Sequence, residues 1–263
     1  MRAPVRARSG RPAAHGLERW AGVIAVLVFL ALWEILPRLG VVNEFFTSRP
    51  SLLAVAAVEV LASAQYWSDL ALTMQEFAVG FGLAVVVAIP MGLLIGASPI
   101  ARGIAMTPMM ALYIAPSMIL LPLLILWLGV GLASKIAVVF IASYFPIVIN
   151  LLAGMDEIDG RLVRVGHVFG ASRLQLFSTI HLPATMPHLL VGLRLAVGRG
   201  LLSVIAAEIF VSSAGIGYRI QMFGNSLRID RLLVYALTVS IIGYTMSRVI
   251  GLLEERWGAR SVS

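Results

Sequence analysis

Asp156-Glu157-Ile158-Asp159, Phe169-Gly170-Ala171-Ser172-Arg173 and Ile180-His181-Leu182-Pro183 are three pieces of one polar stretch, running from Asp156 to His188 between long apolar runs. A chain that is apolar on both sides of such an insert is expected to use it to meet something outside the bilayer. The insert reads as two short helices. Ile158, Leu162, Val165 and Phe169 recur at helical spacing on one face. Gly170 suits a left-handed residue that closes the first helix. Ser172 followed by Gln175 fits a capping box that opens the second. Leu174, Phe177 and Ile180 line the apolar side of that helix, and Pro183 is expected to stop it. The predicted shape is a helix–turn–helix elbow with an apolar ridge. It could rest on lipid headgroups as an amphipathic hairpin or dock as a shaped knob in a partner's groove.

The flanking sequence sets the fold class. Of 263 residues, 60% are hydrophobic and 13% charged, and the mean hydropathy is +0.95. That composition predicts an all-α, polytopic helical membrane protein. Six apolar segments, near 20–37, 70–97, 104–128, 133–154, 187–212 and 232–252, reach the roughly 20 residues a spanning helix needs. The third carries Pro108, Pro116 and Pro122 and is expected to be kinked or broken, which a membrane tolerates only where neighbours or a cavity satisfy the freed backbone. Arg2, Arg6, Arg8, Arg11 and Arg19 precede the first run in the manner of a signal peptide. The run to Leu36 is long for one and no small-x-small site follows it, so an uncleaved span is expected.

Several functions are excluded. There are no cysteines, hence no disulfide or thiolate chemistry. Lys135 is the sole lysine, and no Gly-Lys-Ser/Thr exists to form a phosphate-binding loop, so the chain is not expected to bind ATP in that way by itself. An integral membrane enzyme would need a cluster of nucleophile, base or metal ligands at one depth, and the spans show none, so the chain is not expected to be an enzyme. The net charge of +7 comes from arginines scattered between spans and does not indicate nucleic acid. His167, His181 and His188 have no spacing that makes a metal site, and no cofactor is expected.

Placing the N-terminus in the cytoplasm puts eleven basic residues inside (among them Arg102, Arg161, Arg164, Arg173, Arg256 and Arg260) and six outside (Arg38, Arg49, Lys135, Arg219, Arg228 and Arg231). Both termini and the insert are therefore expected to be cytoplasmic. Within the spans, Arg194 is expected to snorkel toward the interface. Arg199 could assist an anion or pair with another helix. Glu208 could be structural or gate the pathway. Arg199 and Glu208 are nine residues apart and face opposite sides of one helix. Met106, Met109, Met110 and Met118 could line the broken span or pack in the core.

Gly170, nine residues, then Ile180-x-Leu182-Pro183 resembles the Glu-Ala-Ala loop of binding-protein-dependent ABC importer permeases. Pro116-Ser117, Leu121-Pro122-Leu123, Trp127-Leu128-Gly129-Val130-Gly131, Phe145-Pro146-Ile147, Gly192-Leu193-Arg194, Ala207-Glu208 and Gly215-Ile216-Gly217-Tyr218 resemble the nitrate/sulfonate/taurine permease group. The likeness runs from about 70 to 255 and departs at two places: Arg164-Val165-Gly166 replaces the name-giving Glu-Ala-Ala, and Glu76 precedes Gly80 where relatives often carry an arginine. The resemblance implies a permease fold with a cytoplasmic coupling helix, in the cell (inner) membrane. It divides the chain into a basic tail (1–19), a first span with an external loop (20–69), a permease domain (70–255, coupling loop 156–183) and a tail (256–263). It implies a homodimer in lipid, two copies of an ATP-binding subunit, and an external solute-binding protein. Arg164, Gly166, Phe169, Gly170, Ser172, Phe177, Ile180, Leu182 and Pro183 would meet the ATPase; Arg199, Glu208 and Met118 would serve the pathway or gate. The cargo would be nitrate, a sulfonate or a taurine-like anion, with a neutral vitamin precursor or a secondary transporter as the alternatives.

Overall fold

The computed structural model describes residues 14–260, with the side chains of 14–19, 173–174 and 257–260 left aside. The tail arginines Arg2, Arg6, Arg8 and Arg11 lie outside the described residues, as do the side chains of Arg19, Arg173, Leu174 and Arg260. The described residues form helices: α1 (Ala14–Arg38), α2 (Glu44–Thr47), α3 (Pro50–Ala62), α4 (Ala64–Gly96), α5 (Pro99–Ile114), α6 (Leu121–Leu128), α7 (Leu132–Asp156), α8 (Gly160–Val168), α9 (Arg173–Leu176), α10 (Leu182–Val211), α11 (Ile216–Asn225) and α12 (Ile229–Arg260). Five helical segments are long and apolar enough to cross a membrane, and α5 with the 117–128 segment makes a sixth that bends by 89°. The six expected spans are thus recovered, most of them beginning earlier than expected. The break falls at Ala115-Pro116, where both residues are extended. Pro108 is carried inside α5 and Pro122 sits in the first turn of α6, where its missing N–H costs nothing.

The core is α4, α7 and α10 packed closely. Glu76 faces Lys135, Gly80 faces Val139, Gly92 faces Leu151 and Gly96 faces Met155, so α4 and α7 run parallel with a constant offset of 59 residues. Each of those glycines lies where a Cβ would strike the facing side chain. On the other side of α7, Ser143 meets Gly200, Asn150 meets Gly192 and Gly154 meets His188, so α10 runs antiparallel to it. Ile147, Val148, Leu151 and Leu152 are fully buried in this seam. By contrast α1 is almost wholly exposed along its span. It is held at one end, where Glu34 accepts from the Ser51 N–H (2.9 Å) and hydroxyl (2.7 Å), and Trp33 Nε1 donates to the Thr47 carbonyl (3.1 Å).

Helix α1 opens at Ala14 and α12 continues to Arg260. Two expectations need correction. Pro183 does not stop a helix. A π-helical turn at Phe177–His181, in which the Leu182 N–H donates to the Phe177 carbonyl, joins α9 directly to α10 and places Pro183 in a first turn. Arg194 does not simply snorkel, because it forms an ion pair of 3.1 Å with Glu254 on α12. Three short helices, α2, α3 and α11, were not anticipated.

Candidate functional site

The elbow is built by local chemistry. Asp159 caps α8 by accepting from the Arg161 N–H at 2.8 Å, so Ile158 precedes the helix and does not share its face. At the other end the Ala171 N–H donates to the Gly166 carbonyl and the Gly170 N–H to the His167 carbonyl, both at 3.0 Å. Gly170 has φ +76°. This is a Schellman close, with Gly170 in the left-handed position that its sequence predicts. Ser172 and Gln175 then exchange hydrogen bonds, Ser172 N–H to Oε1 at 2.8 Å and Gln175 N–H to Oγ at 3.3 Å. That is the expected capping box.

Two faces follow. Leu176 is buried against Gly166, with Ile180 close by, so Gly166 supplies packing space for the second helix of the elbow. Phe177, Ile180 and Leu182 are half-buried, whereas Arg164, Phe169, Gly170, Ser172 and Pro183 are exposed. Leu162 and Val165 are exposed beside Phe169 (84%) and Val168 (85%). Val168 was missed, because the i, i+3/i+4 pattern passes over it. At the base, Arg102 binds the Gly96 carbonyl (3.1 Å) and pairs with Asp156, tying the α4–α5 turn to the root of the elbow.

The broken span borders a cavity of about 500 Å³ lined by Tyr113, Ser117, Met118, Phe145, Arg199 and Ser203, among others. Arg199 and Met118 therefore meet here. Met109 is buried in the core and Met106 packs against it. Arg199 donates to the Tyr113 carbonyl at 2.9 Å and lies over the Tyr113 ring at 4.0 Å. The Ser117 and Ser203 hydroxyls are 3.1 Å apart.

Glu208 is elsewhere. It is fully buried at the end of the bundle opposite the elbow, in a polar network that seats the first turn of α11. Its Oε2 accepts from the Gly217 N–H and its Oε1 from the Thr73 hydroxyl, both at 2.7 Å. Asp69 Oδ1 accepts from the Gly215 N–H and Thr73 Oγ1 from the Ile216 N–H, both at 2.9 Å. Asp69 Oδ2 also binds Arg219 Nε at 2.7 Å. The free N–H groups of a helix start are thus satisfied by side chains from α4 and α10, and two carboxylates face its positive end. Glu76 pairs with Lys135, which also donates to Ser212 Oγ at 3.2 Å. Sequence reasoning missed this network. It read Lys135 as a loop charge and Glu76 as a departure from pattern.

Residues 84–258 match the family described as binding-protein-dependent transport system inner membrane component. The chain belongs to that family. It is 31% identical over 241 residues to the taurine transport system permease protein TauC of Escherichia coli K12, covering 89% of this chain and 86% of the relative. It is 27% identical over 235 residues to the putative aliphatic sulfonates transport permease protein SsuC of Bacillus subtilis 168, covering 89% and 85%. With the nitrate import permease protein NrtB of Synechocystis sp. PCC 6803 the identity is 33% over 183 residues, covering 70% and 66%. The structure is also similar to that of the MetNI methionine ABC transporter in inward-facing conformations, with a TM-score of 0.46 and 19% identity over 76% of this chain and 97% of that one. The permease is thus a multi-pass inner-membrane protein, and among its described residues no group of three or more His, Asp or Glu could hold a metal.

In the permease the sequence pattern Ala207-Glu208 followed by Gly215-Ile216-Gly217 gains a physical reason. Gly215 has φ +103°, and a Cβ on Gly215 or Gly217 would collide with the Glu208 side chain. The spacing lets one carboxylate cap the helix that the chain starts eight residues after it.

Proposed function

We propose that the chain is the membrane-spanning subunit of an ABC importer for a small sulfonate or nitrate-like anion. Two copies form the route, and both termini and the elbow face the cytoplasm. A separate ATP-binding subunit, in two copies, grips the elbows, while an external solute-binding protein delivers the cargo. The observation that carries this reading is the apolar ridge of Leu162, Val165, Val168 and Phe169, held out on a helix closed by Gly170 and followed by a capped turn. A rigid knob of exposed apolar side chains on an ion-transport subunit suits a protein groove. The π turn makes α9 and α10 one continuous element, so a displacement of the elbow is transmitted into the bundle core. Arg164, exposed on the same helix, puts a positive charge where the name-giving Glu-Ala-Ala motif has its glutamate; it favours an ATPase surface adjusted to it.

The relatives named for taurine, aliphatic sulfonates and nitrate support an anionic cargo. The test is co-purification of the tagged permease with its ATPase. Phe169→Ser should reduce ATPase recovery by on the order of tenfold, as for one apolar anchor of about 1.4 kcal/mol or more, with the melting temperature of the isolated permease unchanged. Full recovery in Phe169→Ser and in Val168→Ser would refute docking on this ridge.

A further inference from the structure

Arg199 is a cation whose charge nothing described so far offsets. It lies 12 residues, roughly 18 Å, from the end of α10. That places it deep in the hydrocarbon zone, yet its side chain is exposed on the single subunit. An arginine facing lipid at that depth is costly, because the hydrocarbon solvates no charge, so this face meets water or a second subunit. Its partners are the Tyr113 carbonyl and ring, both uncharged. Among the described residues no carboxylate pairs with it. Arg194 uses Glu254, Arg219 uses Asp69, and Lys135 uses Glu76. Both span carboxylates that could have neutralised it, Glu76 and Glu208, are fully buried in the network at the far end.

The cavity beside it has matching chemistry. Among the described residues no acidic side chain lines it. Ser203 is buried and its hydroxyl meets that of Ser117, which gives two donors able to turn from each other toward a third oxygen. The remaining wall is apolar, from Met118, Phe145 and their neighbours. We infer that this cavity is a transit subsite for a small oxyanion bearing a short organic tail. The Arg199 guanidinium and the Ser117 and Ser203 hydroxyls take the anionic oxygens, and the apolar wall takes the tail. Tyr113 occupies the guanidinium in the empty state and yields when the anion arrives. Arg199 is thereby the residue that selects for charge along the route. This inference rests on the importer reading above and assigns its selectivity to named side chains.

Two measurements test it separately from that reading. The first is thermal unfolding of the purified permease–ATPase complex in methanesulfonate against equimolar chloride. The wild type should be stabilised by a few degrees, Arg199→Gln should show no such gain, and Arg199→Lys should keep part of it. No gain in the wild type, or an equal gain in Arg199→Gln, overturns the subsite. The second is uptake of labelled taurine and nitrate by cells that express the permease with its own ATPase and binding protein. Arg199→Gln should lower the maximal rate on the order of tenfold, as for loss of one charge-assisted hydrogen bond, with half-saturation and binding-protein-stimulated ATP hydrolysis unchanged. Equal loss of transport and of stimulated hydrolysis would show a structural role and overturn the assignment. If the wild type imports neither anion while the Arg199-dependent stabilisation holds, the importer reading fails for these cargoes and the anion subsite stands.

Discussion

Lys135→Met is the sharpest probe of how this bundle is held together. The side chain of Lys135 is 6% exposed and that of Glu76 is 0% exposed. Among the described residues Glu76 Oε2 has no hydrogen-bond partner, and Lys135 is the main group compensating the Glu76 carboxylate. Methionine keeps most of the apolar stem and removes the ammonium, so packing is nearly preserved and the electrostatic term is isolated. Removing one partner of a buried pair costs about 3–5 kcal/mol, because the other charge stays buried and uncompensated. For a chain of this size each kcal/mol shifts the melting temperature by roughly 2–4 °C, so the expected fall is on the order of 10 °C, or more, in detergent. The decisive companion is Glu76→Leu combined with Lys135→Met. Replacing both members by apolar residues of similar volume is often neutral or stabilising, so the double variant should recover to within about 1 kcal/mol of wild type. The pair of measurements is a double-mutant cycle by thermal shift on the purified permease. An unchanged melting temperature in Lys135→Met refutes the pair as a stabilising contact. A double variant as unstable as the sum of the singles refutes the electrostatic origin of the effect.

Two further substitutions probe glycines with opposite requirements. Among the described residues Gly170→Ala meets no atom within 4 Å, so its cost is the left-handed φ of +76°, about 1–2 kcal/mol. Amide hydrogen exchange across residues 165–175 should speed up by roughly fivefold or more, and Gly170→Asn should be milder; equal exchange in wild type and Gly170→Ala would count against the Schellman close. Gly217→Ala places its Cβ against the Ile205 carbonyl and the Glu208 side chain, and overpacking of that kind costs about 1–3 kcal/mol. Gly198→Ala on α10 meets nothing within 4 Å and should be neutral or stabilising by up to about 1 kcal/mol, so equal melting temperatures for the two alanine variants would show that the α11 seat is not tightly packed.

What the amino-acid sequence reveals and what it conceals divide along a physical line. Lengths and composition announce the spans, because a helix crossing lipid must be apolar along its whole length. Pro116 announces the break, and Gly170 and Ser172–Gln175 announce the elbow, because caps and turns depend on residues within six positions of one another. The resemblance at Ala207-Glu208 and Gly215-Ile216-Gly217 is readable for the same reason of locality. Lys135 and Glu76 stand 59 positions apart on parallel helices, and no periodicity in either segment names the other. Read singly, Lys135 looks like a loop charge that helps to set orientation, and Glu76 like an anomaly. Only the register between α4 and α7, fixed by glycines such as Gly80 and Gly92 against Val139 and Leu151, brings them together. Pro183 fails as a stop for a related reason. The proline lacks an N–H, but a π turn beside it lets the chain continue from α9 into α10. Helix continuity here is decided by the packing of α10 in the core, which outweighs the local preference of one residue. The same reasoning separates Arg199 from Glu208. Both are lone charges in one apolar run, nine positions apart, and local pattern treats them alike. The fold gives Glu208 two buried donors, the Thr73 hydroxyl and the Gly217 N–H, and leaves Arg199 beside a cavity with no carboxylate paired to it among the described residues. A charge whose hydrogen bonds are all spent within the bundle stabilises structure; a charge held by a neutral carbonyl beside open volume is available to a ligand.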